Sequence, residues 1–406
     1  MSVKRKRVLV ALSGGVASRV SASLLKTQGF EIYGVHYYIN PESARYPLPR
    51  FFRPDVQNEL QLISKKLDLS VHFEDVTAEF ESQVLEPAIH RKFSLLPEVT
   101  DYLFCSRFLM PKLYEYAKKI RADYIATGHF SKVVTGLDGT SGIITFDEPL
   151  LDQSSSLSRV SSEILNMLLL PVGDLSPVMI YKLDKELESR LKDRSLPTEG
   201  VESDSEGYSS YARVPPVSEL VETLKSKTTF GPDYWKEEWL SKYVTGDYFL
   251  PGPIRSQNDF STNQYDGLHT VNWGDQINNN PVEVITEYHA RTRTLYLGAP
   301  EKLQSSFYYL QDVQFLIPHD VMKSISVQVR DPKSLNSKSA DAWINGKITL
   351  FLGHFSTLEL EKPLDRQGVG QPLVFYKENQ VIGSGLIYKI GSLQAQSSLV
   401  SAPKQG

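Results

Sequence analysis

Val8-Leu9-Val10-Ala11-Leu12-Ser13-Gly14-Gly15-Val16-Ala17-Ser18-Arg19-Val20 is the stretch on which the fold turns. Its unbroken apolar start suits a strand buried on both faces, as in a parallel sheet covered by helices. Ser13-Gly14-Gly15 then breaks the run, and helical spacing sets in from Ser18 to a stop at Gly29. Outward from this unit the rhythm repeats. Glu31 to Tyr37 reads as a strand and Asp55 to Leu67 as a helix with Val56, Leu60, Ile63 and Leu67 on one face. Ser70 to Asp75 reads as a strand, Phe108 to Ile120 as a helix, and Tyr124 to Thr127 as a strand running into Gly128-His129. Strand and helix in alternation predict an α/β fold with a parallel sheet, and ligands in such sheets bind where strands end at their carboxyl side.

A chain of 406 residues carries two or three domains at about 150 residues each. Turn and linker chemistry gathers after Gly200, at Val214-Pro215-Pro216 and at Pro251-Gly252-Pro253. Beyond Thr286 the runs Thr294–Leu297, Ile325–Val329, Ile348–Leu352 and Leu373–Tyr376 alternate as strands of a small β-domain. The expected division is 1–213, 217–284 and 285–392, with a loose polar tail at 393–406. No internal repeat is visible. The composition, 41% hydrophobic and 23% charged with a mean hydropathy of -0.27, is that of a globular protein and excludes whole-chain disorder. The densest apolar stretch, Ile164 to Val172, is cut by Asn166 and Pro171, so no membrane span is expected. Lys4-Arg5-Lys6-Arg7 precedes only five apolar residues, too few for a signal peptide, and the expected location is the cytoplasm. Net charge is -4, so a nucleic-acid partner would need a local basic surface. One cysteine, Cys105, excludes an intrachain disulfide and a cysteine metal cluster, and the eight scattered histidines show no ligand spacing; no metal site is expected.

Ser13-Gly14-Gly15 between a strand and a helix is where backbone N–H groups and the helix dipole favour an anion. It is not a Walker A loop, because no Lys-Ser/Thr follows at the required spacing. Taken alone it is equally a tight turn.

Further residues resemble those of a known family. Ala11 to Val20 resembles the PP-loop, Ser-Gly-Gly-x-Asp-Ser, of ATP pyrophosphatases. Phe104-Cys105-Ser106-Arg107-Phe108-Leu109, Ala122-Asp123-Tyr124-Ile125-Ala126-Thr127-Gly128-His129-Phe130 and Asp152-Gln153-Ser154 resemble motifs of the tRNA-specific 2-thiouridylases. So do Leu170-Pro171-Val172-Gly173-Asp174-Leu175, Gly370-Gln371-Pro372-Leu373-Val374-Phe375-Tyr376 and Ile382 to Ile387, in the same order along almost the whole chain. The resemblance implies a PP-loop domain, a small central domain and a C-terminal β-barrel. It also implies an ATP- and Mg2+-dependent reaction in which a tRNA uridine is adenylated at its C2 oxygen and then attacked by a persulfide sulfur carried on cysteine. Nucleotide contacts would come from Ala11, Leu12, Ser13, Gly14, Gly15, Val16, Ala17, Ser18, Gly128 and His129, and tRNA contacts from Arg107, Lys112 and Gln153. A persulfide-donor protein would be a partner, and the chain is expected to act as a monomer.

The departures fall on the chemistry. Ala17 stands at the PP-loop aspartate, where a carboxylate would help hold Mg2+ and polyphosphate, and Arg19 stands at the next serine position. Asp204-Ser205-Glu206-Gly207-Tyr208-Ser209 resembles the family's Asp-Ser-x-Gly-Ile-Cys, which puts Ser209 at the sulfur-carrying cysteine. A hydroxyl forms no persulfide. Cys105, at the partner cysteine, remains the one thiol. Leu151 replaces a lysine of the Lys-Asp-Gln-Ser motif, and Met110 another. Three readings follow: a diverged homologue with weakened or lost catalysis that still binds tRNA or nucleotide, an active enzyme using Cys105 alone with Arg19 as a substitute phosphate ligand, and a non-catalytic interaction protein. Arg107, Lys112, Lys118, Lys119 and Arg121 put a basic surface beyond Cys105, and Lys4 to Arg7 a second at the chain start. Each is either a solvated face or an RNA contact.

Overall fold

The computed structural model describes residues 5–40, 42–44, 56–97, 99–136, 139–191, 241, 244, 246–256, 263–277, 282–316, 324–331, 342–351, 355–365 and 367–391. Ser209, Lys4, the linker prolines Pro215 and Pro216 and the tail at 393–406 lie outside the described residues.

β1 (Arg7–Ala11) is the middle strand of a five-stranded parallel sheet. Val8, Leu9 and Val10 are completely buried because helices cover both faces, which is why the strand is apolar without alternation. α1 (Val16–Thr27) leads to β2 (Glu31–Tyr38), α2 (Val56–Leu67) to β3 (Ser70–Asp75), and α3 (Met110–Ile120) to β4 (Tyr124–Ala126). A hairpin of β5 (Lys132–Thr135) and β6 (Ser141–Ile144) follows, then β7 (Leu168–Leu169) and α4 (Pro177–Leu191). The strand order β3-β2-β1-β4-β7 places the topological switch between β1 and β4. Two segments depart from the sequence reading. The helix expected from Phe108 is preceded by a wider, π-helical winding over Leu103–Leu109, and its regular part starts at Met110. β7, two residues long, sits inside the apolar stretch that carried no strand signal of its own.

β8 (Gly252–Arg255), β9 (Asn263–Tyr265), β10 (Val284–His289) and β11 (Thr294–Gly298) form a separate four-stranded sheet. Thr294–Leu297 therefore pairs with β10 and β8 and not with the later runs. β12 (Gln304–Phe315), β13 (Ser324–Arg330), β14 (Trp343–Leu350), β15 (Phe355–Asp365), β16 (Pro372–Lys377) and β17 (Gln380–Ile390) are antiparallel and close into a six-stranded barrel through the β12–β17 pairing. Closure removes exposed sheet edges. Tyr308, Leu310, Ile348, Leu358, Phe375 and Ile387 fill its core.

The barrel is joined to the parallel-sheet domain. β6 pairs with the start of β17 (Gln380 with Ile144, Val381 with Ile143). One apolar cluster runs from Leu9, Leu113 and Ile125 through Ile143 and Leu157 to the barrel residues Val374, Tyr376 and Val381. Arg330 of β13 donates to the carboxylate of Asp152, and Arg159, almost fully buried, donates to Asp312 at 2.7 Å. Asp152 also accepts from the N–H of Phe146 at 2.8 Å and from the Ser154 hydroxyl at 2.9 Å, so this buried carboxylate is fully occupied in joining the domains.

Candidate functional site

The carboxyl ends of β1 and β4 meet at the switch point. Gly14 adopts φ +83°, which favours glycine, and a Cβ there would lie 2.6 Å from Val56 Cγ1. Gly15 is the N-cap of α1 and has no side-chain cap, and no acidic residue stands in the first turn. Ser13 Oγ accepts from the N–H of Gly15 at 3.3 Å, and Ser18 Oγ donates to the Gly15 carbonyl at 2.9 Å. The first N–H groups of α1 have no intrahelical acceptor and carry the positive end of the dipole, an arrangement that takes an anion.

The turn after β4 packs directly on this loop. A Cβ on Gly128 would sit 2.6 Å from the Ser18 nitrogen and 2.7 Å from the Ala17 carbonyl carbon, so only glycine admits this approach. His129 follows and reaches the other way. Its Nε2 lies 3.3 Å from Cys105 Sγ, and its Nδ1 lies 2.8 Å from Thr127 Oγ1. Thus Ala17, Gly128, His129 and Cys105, spread between positions 17 and 129, form one contiguous chain of contacts. Thr127 is the partner that the sequence reading passed over, although it lies inside a quoted motif.

The chemistry of that chain is muted. Cys105 lies in the π-helical winding with 7% of its surface exposed, within the cluster that reaches the barrel. Burial pushes its pKa up to about 12, the nearby Asp101 carboxylate adds to this, and a hydrogen bond with Ser156 opposes it. Burial likewise lowers His129 to about 4. At neutral pH the pair is therefore a thiol beside a neutral imidazole, whereas a nucleophilic cysteine needs a thiolate held by positive charge.

Arg19 is not directed at a phosphate. It makes a bidentate pair with Asp184 of α4 at 2.7 and 2.9 Å, and Glu188 lies 3.6 Å away. Asp184 is buried; desolvation raises its pKa, and the Arg19 guanidinium opposes the rise. This corrects the expectation that Arg19 compensates for Ala17: the guanidinium clasps α1 to α4, 165 positions apart. Mg2+ does not fit the loop, because Ala17 offers a methyl group and Asp184 is committed to Arg19. Among the described residues no group of three or more His, Cys, Asp or Glu is arranged to hold a metal.

The expected tRNA contacts separate. Arg107 is exposed, with no partner among the described residues. Lys112 bonds Glu74 at 3.2 Å and Glu79 at 3.1 Å. Burial works to lower its pKa, but those two carboxylates prevail and raise it. Gln153 accepts from the N–H of Phe130 at 3.0 Å and its own N–H donates to the Phe130 carbonyl, so it holds the segment after His129. His36, at the carboxyl end of β2, donates through Nδ1 to the Leu12 carbonyl at 2.6 Å, which leaves Nε2 as an acceptor beside the loop. Only its place in the fold reveals this.

The fold and the loop define the chain as a HUP-domain protein of the PP-loop kind. The family model described as "tRNA methyl transferase HUP domain" matches residues 6–196. The tRNA-specific 2-thiouridylase of Campylobacter lari is 24% identical over 388 residues, covering 94% of this chain and 99% of that protein. The 2-thiouridylase of Clostridium botulinum strain Alaska E43 is 25% identical over 410 residues, covering 96% and 100%. That of a Nitratiruptor species is 29% identical over 172 residues, 42% of this chain and 46% of that protein. The chain is thus a divergent 2-thiouridylase-like protein, similar to these enzymes over most of its length and matched to the HUP-domain model over residues 6–196.

Proposed function

We propose that this protein is a 2-thiouridylase homologue whose PP-loop still takes an adenine nucleotide and whose surface still binds tRNA, while its adenylation and sulfur-transfer steps are weakened or lost. The observation that carries this is the state of Cys105: the chain's single thiol is buried against a neutral His129 with its pKa pushed up to about 12. Two further features agree with it. Ala17 withdraws a carboxylate from the loop, and losing one preorganised electrostatic contact typically costs about a hundred- to a thousandfold in rate. Ser209 stands where the family carries sulfur. The loop's backbone donors do not depend on either residue, so anion binding survives the loss. The reading in which Cys105 alone sustains turnover requires that the buried thiol become exposed and ionised.

Equilibrium binding of ATP, together with tRNA-dependent pyrophosphate release, tests the proposal. The expected result is ATP binding that is insensitive to Mg2+, with pyrophosphate release at background. The Ala17→Asp, Ser209→Cys double variant should thiolate tRNA more than either single variant does. Brisk Mg2+-dependent pyrophosphate release by the unaltered chain would overturn it.

A further inference from the structure

The opposite, amino end of the parallel sheet carries a charge pattern that the PP-loop reading does not use. Four of its five strands are entered from a basic segment. Lys65 and Lys66 precede β3, Lys26 precedes β2, Arg5 and Lys6 lead into Arg7 of β1, and Lys118, Lys119 and Arg121 precede β4. Backbone bonds fix their proximity: the Glu31 N–H donates to the Lys6 carbonyl at 2.9 Å, and the Asp123 N–H to the Arg7 carbonyl at 2.8 Å. Arg7 also donates to the Ile120 carbonyl at 2.7 Å, which brings the chain start against the end of α3. Two basic stretches that lie more than a hundred positions apart thus become one rim.

The rim gathers nine cations against four acids, Glu31, Asp68, Asp123 and Glu163, in a chain whose net charge is -4. Lys6 is spent on Asp123, Arg7 on Glu31 and Lys26 on Asp68. Lys118 sits over the Tyr114 ring. Arg5, Lys65, Lys66, Lys119 and Arg121 are exposed and have no partner among the described residues. Helix C-termini favour cations, which accounts for the lysines and for Arg121, the C-cap of α3, whereas Arg5 lies outside any helix. Across the four strands β3-β2-β1-β4 the rim spans about 14 Å, at about 4.8 Å per strand step. The cations of α1 and α2 stand over one face of the sheet and those of α3 over the other, with Arg5 at the entry of β1 between them. A lipid surface would call for apolar anchors beside the cations. The rim segments carry none of the exposed large apolar side chains apart from Leu62, one turn back along α2.

We propose that this amino-end rim is a docking face for an RNA phosphate backbone, separate from the PP-loop end. It rests on the reading that the chain binds tRNA, and adds where a second contact lies. The test is binding of an unmodified tRNA transcript to the full chain over a range of salt concentrations. The rim variant joins Arg5→Gln, Lys65→Gln, Lys66→Gln and Lys119→Gln. A matched barrel variant joins Lys347→Gln, Lys362→Gln, Lys377→Gln and Lys389→Gln. The rim variant should bind about tenfold or more weakly and lose about three from the slope of log affinity against log salt. The barrel variant should stay close to the unaltered chain.

Equal losses in both variants, or none in the rim variant, would overturn the proposal. Binding of phosphatidylserine vesicles in place of RNA would overturn it as well. Failure of the unaltered chain to bind tRNA would overturn both this proposal and the tRNA part of the reading. Rim-dependent RNA binding without ATP binding would leave the rim standing and remove the PP-loop reading alone.

Discussion

The two ends of one parallel sheet differ in electrostatic character. At the carboxyl end, where the glycine loop sits, charge is absent or tied up: Ala17 presents a methyl group, Arg19 is clasped by Asp184, and Cys105 and His129 face each other uncharged. At the amino end, exposed cations with no partner among the described residues stand just before β3, β1 and β4. The backbone scaffold of such a fold is independent of the reacting side chains, because sheet order and loop geometry rest on apolar burial and glycine.

That contrast predicts how each end responds to change. The largest effect should come from Asp184→Leu, which leaves the largely buried Arg19 guanidinium without its main partner and should cost about 3–5 kcal/mol in urea unfolding. The double change Arg19→Met, Asp184→Leu should recover most of it. If Asp184→Leu costs nothing, the clasp is not part of what holds the carboxyl end together.

Next is the response to pH. The folded-state pKa of His129, about 4, lies below its ordinary 6.5, so the unfolded chain binds the extra proton between those values. Stability should be complete above about pH 6.5 and decline by about 3 kcal/mol as pH falls towards 4. Cys105 acts at the other limit. Its folded pKa of about 12 exceeds the ordinary 9.0, so stability should decline again as pH rises above about 9. His129→Ala should flatten the acid arm, and an unchanged arm would show that the titrating group lies elsewhere.

Gly128→Ala should cost about 1–3 kcal/mol by forcing the β4 turn off the first turn of α1, and should weaken nucleotide binding with it. The smallest effect is expected at the amino end. Replacing Lys65, Lys66 and Lys119 by Gln should change stability by less than about 0.5 kcal/mol per site, because these side chains are exposed and unpartnered. A large loss there would make the rim a structural feature.

Much of the scaffold was legible before the structure. β1 to β4, α1 and α2 announce themselves through apolar runs, helical spacing and glycine stops, all local signals. The wider winding at Leu103 hid the true start of α3, since it shifts the helical period on which the reading depends. β7 is hidden inside an apolar stretch, and Thr294–Leu297 pairs with β10 and β8 outside the barrel, because strand pairing is not local. The site was legible as separate motifs: the loop, Cys105 and Gly128-His129 each stood out. Their junction was not, and neither was the Arg19–Asp184 clasp, since nothing in either segment names a partner so far along the chain.

The most direct test of the central claim is mass spectrometry of wobble-position 2-thiouridine in tRNA from cells that lack their own 2-thiouridylase and express this chain in soluble, folded form, alongside Cys105→Ser. No 2-thiouridine above background is expected from either chain. Thiolation by the unaltered chain that Cys105→Ser abolishes would contradict it, and would mean that the buried thiol is exposed and ionised during turnover.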